Sequence, residues 1–184
     1  MEMSGEFRIP APIEKVWAAL NDPEILQQSV PGCQSIVKLS DTEMEGAVTA
    51  SVGPVKATFK GSVILSDVNP PHSYTLTGQG KGGPAGFAKG VAKVTLTEDG
   101  GITVLRYTAQ ASVGGKLAQI GQRLVDGTAK KLSEEFFGNF SKILGGAPTE
   151  PVAQQQPPSA GLGPIIWITG LILIMAAMKL MFVQ

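Results

Sequence analysis

The chain has 184 residues, with 15 Lys+Arg against 15 Asp+Glu, one Cys and one His. That length suits one domain with appendages, and the zero net charge gives no broad electrostatic attraction to nucleic acid or to an anionic membrane surface. The lone Cys33 excludes an internal disulfide, and a single His72 excludes a histidine-based metal cluster.

The opening MEMSGEFRIPAP is polar and lacks the hydrophobic core of a signal peptide, so the folded part is expected in the cytoplasm. Residues 3–9 alternate Met3, Gly5, Phe7 and Ile9 against polar partners and read as a strand. Pro12 opens a helix whose apolar side is Val16, Trp17 and Leu20; Asp22-Pro23 stops it and starts a short helical turn, which Pro31-Gly32 ends. Strand-like runs follow at 33–40, 43–53, 55–68, 73–80, 88–97 and 102–113. Short connections between consecutive strands predict an antiparallel meander. A long helix is predicted from about Lys116 to Leu144, with one face made of Leu117, Ile120, Leu124, Thr128, Leu132, Phe136, Phe140 and Ile143. The order makes an α+β domain in which the long helix buries its face against a concave sheet.

The period of two divides each strand into faces. Inward positions read Met44, Gly46, Val48, Ala50, Val52; then Val55, Ala57, Phe59, Gly61, Val63, Leu65; then Tyr74, Leu76, Gly78, Gly80. They continue with Ala88, Gly90, Ala92, Val94, Leu96 and with Leu105, Tyr107, Ala109, Ala111. Gly and Ala supply little volume to a close-packed interior. Two readings stand: an apolar, ligand-sized cavity, or a seam of small residues against which the helix packs closely. On the cavity reading its lining is Val48, Ala50, Ala57, Phe59, Gly61, Tyr74, Leu76, Gly78, Ala92, Tyr107, Ala109, Leu117, Ile120, Leu124 and Phe136. The glycine-rich stretch 78–90 reads either as a lid bringing Phe87 to the cavity mouth or as an ordinary hairpin tip. It has no Lys-Ser/Thr pair and no following helix, which argues against phosphate binding.

No constellation for catalysis or metal binding is legible. His72 follows Pro70-Pro71 in a turn, Cys33 has no evident partner, and the inward faces carry no carboxylate pair. Tyr74 and Tyr107 are the main inward polar groups, placed to hydrogen-bond a ligand carbonyl or to cap the walls.

After the domain, residues 146–163 are rich in Pro, Gln and Gly and read as a flexible linker. Residues 164–184 carry a long uncharged run and read as a single C-terminal membrane anchor; a helix from Ile165 to Val183 would be roughly 28 Å long, close to a hydrocarbon core. The competing reading is a buried C-terminal helix.

IPAPIEKVWAALNDPEILQQSVPGC resembles the start of the START-like, or helix-grip, SRPBCC superfamily. The block VGGKLAQIGQRLVDGTAKKLSEEFF, with the glycine-rich stretch, resembles the family of the carbon monoxide dehydrogenase G subunit over residues 1 to about 146. The resemblance implies a curved antiparallel sheet wrapped on a long C-terminal helix around a deep hydrophobic cavity, in residues 1–145. It also implies a non-enzymatic accessory protein that recruits a molybdenum carbon monoxide dehydrogenase to the cytoplasmic membrane. Cavity, tether and resemblance together predict a bound quinone, menaquinone or ubiquinone, drawn from membrane lipid and presented to the enzyme, with no covalent cofactor. The alternatives are a docking anchor without ligand, or a lipid carrier or cyclase-like enzyme of the same fold.

Overall fold

The computed structural model describes residues 1–145. They form one antiparallel sheet of seven strands: β1 (Glu2–Ile9), β2 (Cys33–Lys38), β3 (Glu43–Val52), β4 (Val55–Asn69), β5 (Ser73–Lys81), β6 (Phe87–Asp99) and β7 (Ile102–Gly114). Their order across the sheet is β1-β7-β6-β5-β4-β3-β2. Strands β2 to β7 are the predicted meander. β1 pairs with β7, with Met3 opposite Ala109 and Phe7 opposite Leu105. β1 and β2 therefore lie on opposite edges, and the two helices between them carry the chain across the sheet.

These helices are α1 (Ile13–Leu20) and α2 (Pro23–Ser29). α1 buries Ile13, Val16, Ala19 and Leu20 at helical spacing. α2 starts because Asp22 caps it: its carboxylate accepts from the backbone N–H of Glu24 at 2.8 Å, with Pro23 in the first helical position. Thr103, fully buried in β7, donates to the Ala11 carbonyl at 2.7 Å and fixes the entry to α1 on the sheet.

The C-terminal helical stretch is not one helix. α3 (Lys116–Gln119) is a single turn, and α4 (Gln122–Ile143) follows after Gly121 at φ 97°. Side chains oppose that conformation, so glycine permits the break. The break also resets the helical phase, which moves the buried stripe. α4 buries Val125, Ala129, Ser133, Phe136, Phe137 and Phe140, whereas Leu124 is 51% and Ile143 38% exposed. The predicted stripe kept Phe136 and Phe140 but ran a residue early through the first half of the helix.

Phe137 stacks on Phe7 with centroids 4.0 Å apart and meets Phe136 edge-on at 4.9 Å. At its C-terminal end α4 is tied to the crossing helices, by Asn139 donating to the Ser29 carbonyl at 3.2 Å and by Lys15 donating to the Leu144 carbonyl at 3.1 Å. The predicted linker and membrane anchor, 146–163 and 164–184, lie outside the described residues. Among the described residues no helix is long and apolar enough to cross a membrane.

Candidate functional site

Cross-strand register sorts the inward side chains of the sheet into rows. One row is Gly46, Gly61, Gly80, Ala88 and Val113, and the next is Met44, Val63, Gly78, Gly90 and Ala111. A third is Leu65, Leu76, Ala92, Ala109 and Met3. Beyond it lie Tyr74, Val94, Tyr107 and Gly5, then Leu96, Leu105 and Phe7. The middle of the sheet thus carries a band of Gly and Ala. Aromatic rows bound it on one side, and Phe59, opposite Val48, bounds it on the other.

Of the sequence-predicted lining, Val48, Ala50, Phe59, Gly61, Tyr74, Leu76, Gly78, Ala92, Tyr107, Ala109, Leu117 and Phe136 are buried, and Ala57 and Ile120 half-buried. Two residues do not join them. Leu124 points away because of the phase reset at Gly121. Phe87, 42% exposed, starts β6 with the parity of Lys89 and Lys93, so it lies on the outer face, where its ring covers Gly114. The lid around it shrinks as well, because β5 runs to Lys81 and β6 begins at Phe87, leaving a tight turn at residues 82–86. In that turn Gly86 packs against the backbone of Gly114 and Gly115, closer than any side chain allows. Sequence reasoning placed Phe7 on the apolar side of β1 but missed Val125, Ala129 and Phe137 as interior residues. The Phe136-Phe137 doublet was the available signal, since adjacent aromatics on a helix bury together only when the stripe runs between them.

Some small residues serve packing. A Cβ on Gly5 would stand 2.6 Å from the Tyr107 ring, and one on Gly82 would stand 2.5 Å from Phe59. Rings occupy both places.

Tyr74 and Tyr107 are the inward hydroxyls. Burial raises the Tyr74 pKa well above the ordinary phenol range. Burial also raises that of Tyr107, helped by the Glu134 charge and opposed by the Ser133 hydroxyl. Ser133 Oγ is buried and faces Tyr107 without closing a regular hydrogen bond. Both phenols stay protonated at neutral pH and are available as donors. Trp17 of α1 packs edge-on against Tyr74, centroids 5.5 Å apart. Cys33 is half-buried, and burial pushes its thiol up, away from thiolate chemistry. His72 is exposed in the turn between β4 and β5. Among the described residues no three His, Cys, Asp or Glu side chains are grouped as metal ligands.

The outer face has its own relief. An open trough of about 700 Å³ is bordered by Ile64, Thr77, Gln79, Lys89, Val91, Gln110 and Ser112, with Gly78 and Gly90 in its floor. These flanking side chains have the outward parity, so this space lies across the sheet from α4.

In sequence, the family model of the carbon monoxide dehydrogenase G subunit (CoxG) matches residues 5–145. Among solved structures, the chain is similar to a conserved protein from Geobacillus kaustophilus, with 33% identity and a TM-score of 0.73 over 78% of this chain and 95% of that one. A putative uncharacterized protein from Rhizobium leguminosarum shares the fold at 19% identity and a TM-score of 0.58, covering 78% of this chain and 93% of that one. A Thermus thermophilus protein does so at 18% identity and 0.57, covering 78% and 97%. No curated protein matches the chain. A family model that spans nearly the whole described domain, on a sheet that wraps a C-terminal helix, settles the kinship: the chain belongs to the CoxG family, that of the carbon monoxide dehydrogenase G subunit.

Proposed function

We propose that this protein is a membrane-tethered accessory subunit that recruits a molybdenum carbon monoxide dehydrogenase to the cytoplasmic membrane and hands it a quinone, menaquinone or ubiquinone. Family membership supports the accessory role. The observation that carries the quinone reading is the band of Gly and Ala across the inward face, bounded by Phe59 and by the tyrosine row. A flat, apolar ring needs a surface without protruding side chains, and a quinone carbonyl needs a neutral donor at the edge. Tyr74 and Tyr107 supply donors that burial keeps protonated. The apolar run in 164–184 supplies the tether in sequence. A tether raises the local concentration of carrier at the surface that holds the quinone.

The protein itself performs no bond chemistry in this scheme. It solubilises the quinone, orients it, and excludes water around it, while oxidation of the substrate belongs to the partner enzyme.

The test is native mass spectrometry with organic extraction of the full chain, purified in detergent from its native membrane. A stoichiometric quinone is expected, retained in wild type and lost in Gly80→Leu, which places a branched side chain in the glycine row. An empty protein that takes up no added quinone would overturn the carrier.

A second reading, a docking anchor without ligand, is favoured by one observation. The rings of Tyr107 and Phe59 already cover Gly5 and Gly82, so part of the glycine content is accounted for by packing.

A further inference from the structure

The zero net charge hides an uneven distribution: carboxylates and cations pair at one end of the sheet, while lysines stand unpaired at the other. In a meander the turns alternate between the ends of the sheet. One end holds the turns after β2, β4 and β6; the other holds residues 53–54, the 82–86 turn, and the exit of β7 into α3. Between residues 46 and 125 the only carboxylates are Asp67, Glu98 and Asp99, and all three lie beside turns at the first end, with Asp41 of the β2–β3 turn. The second end carries Lys56, Lys60, Lys81, Lys116 and Arg123, against Asp126 near the start of α4. Among the described residues none of these four lysines is in an ion pair, whereas Arg8 pairs with Asp99 and Arg106 with Glu6. Lys60 and Lys81 are register partners on the outer face. Like charges directly opposite one another repel, and the fold supplies no anion between them.

Apolar side chains are exposed at both ends, Val37, Leu39 and Val68 at the first, but at the second they stand among the unpaired lysines. Leu124 is 51% exposed and, with Ile120, lies against the β3–β4 turn at Gly53; Phe87 is 42% exposed beside the last residue of β7. Lysines ringing exposed aliphatic and aromatic groups match a bilayer surface, with phosphates for the charges and an interface for the apolar tips.

We propose that this basic pole docks on an anionic bilayer surface, turning the Gly/Ala band's end of the domain toward the lipid. The proposal rests on the membrane-tether reading. The chain beyond the structure permits the orientation. α4 runs from the basic pole to Gly145 at the other end, about 33 Å for its 22 residues. Residues 146–163 have a contour of roughly 60 Å, enough to return along it to the same surface. With the first end facing an anionic leaflet, the turn carboxylates would be repelled instead.

The experiment reconstitutes the full chain in phosphatidylcholine vesicles, with and without about 30 mol % phosphatidylglycerol, a share that gives the surface a negative potential. Flotation is scored first, then amine acylation of each lysine by mass spectrometry. Flotation in both vesicle types is expected, with acylation of Lys56, Lys60, Lys81 and Lys116 slowed about fivefold on the anionic vesicles alone, the factor expected for one lysine held at such a surface. Lys38 and Lys142 should be unaffected. The protection should vanish at about 1 M salt, where the screening length is roughly 3 Å. In Lys60→Glu/Lys81→Glu it should vanish at Lys56 and Lys116. Flotation with equal acylation on both vesicles overturns the docking and leaves the tether intact. Failure to float overturns the tether and the docking with it. Protection that arises only when carbon monoxide dehydrogenase is added assigns the pole to a protein surface and overturns the lipid reading.

Discussion

The helical phase of α4 makes the sharpest energetic prediction, because two substitutions on the same helix should differ by nearly an order of magnitude. Phe137 is fully buried, stacked on Phe7 at 4.0 Å and edge-on to Phe136 at 4.9 Å. Truncating such a residue to alanine costs about 3–5 kcal/mol through lost transfer energy and the cavity left behind. Leu124 is 51% exposed and loses little, about 0.5 kcal/mol or less. Unfolding entropy is about 2.1 cal/mol/K per residue, or roughly 0.3 kcal/mol/K for the 145 described residues. Phe137→Ala should therefore lower Tm by about 10–16 °C, and Leu124→Ala by about 2 °C or less. Thermal melts of the detergent-solubilised chain by far-UV circular dichroism measure both. Comparable losses for the two would place Leu124 in the core, restore a continuous stripe from Leu117, and refute the phase reset at Gly121.

Three further outcomes are expected. Thr103→Val should cost about 1–3 kcal/mol in urea unfolding, because the buried Ala11 carbonyl loses its donor while side-chain volume is kept. Gly5→Ala should destabilise by about 1–3 kcal/mol through collision with the Tyr107 ring, despite the gain of about 0.5–1 kcal/mol from removing a strand glycine. Combining it with Tyr107→Leu should recover part of that loss, a non-additivity that urea midpoints of the four proteins resolve. Stability should also fall as pH rises above 10. Tyr74 ionises in the unfolded chain near its ordinary value of 10 but stays protonated when folded, so high pH favours unfolding. Urea titrations should show a loss of up to about 1.4 kcal/mol per pH unit from this group, which Tyr74→Phe removes; an equal decline in the variant would contradict a buried, neutral phenol.

The strands were legible because their period depends only on the residue next but one. Lysines at 56, 60, 89 and 93 mark one parity, and every large apolar residue of the other parity in β6 (Val94 and Leu96) is buried. The helix was not, because its phase must be carried across Gly121, and one residue of error turns the stripe by about 100°. Phe87 misled for a related reason. Counted as the centre of a long glycine-rich loop, it has no parity; as the first residue of β6 it takes that of Lys89. The pairing of β1 with β7 joins residues about a hundred positions apart, Glu2 with Gln110 for one, and no local pattern encodes it. Charge polarity was hidden by summation: equal totals say nothing of where the meander sends each turn.

Glycine content has at least two causes in this fold, and the register separates them. At Gly82 and Gly5 an aromatic ring takes the space a side chain would fill, and at Gly86 another backbone does. Composition alone counts these with Gly61, Gly78 and Gly80, which is why a cavity and a packing seam both fitted the sequence. In the structure they occupy different places. The ring-covered positions lie at the margins of the band, beside Phe59 and Tyr107, whereas Gly61, Gly78 and Gly80 form its centre on β4 and β5. Glycines at the centre of paired strands weaken the sheet and contribute nothing to its core. The proposed quinone site rests on their presence across neighbouring strands, walled by large side chains at both margins, and it is the centre, not the margins, that substitutions must fill to test it.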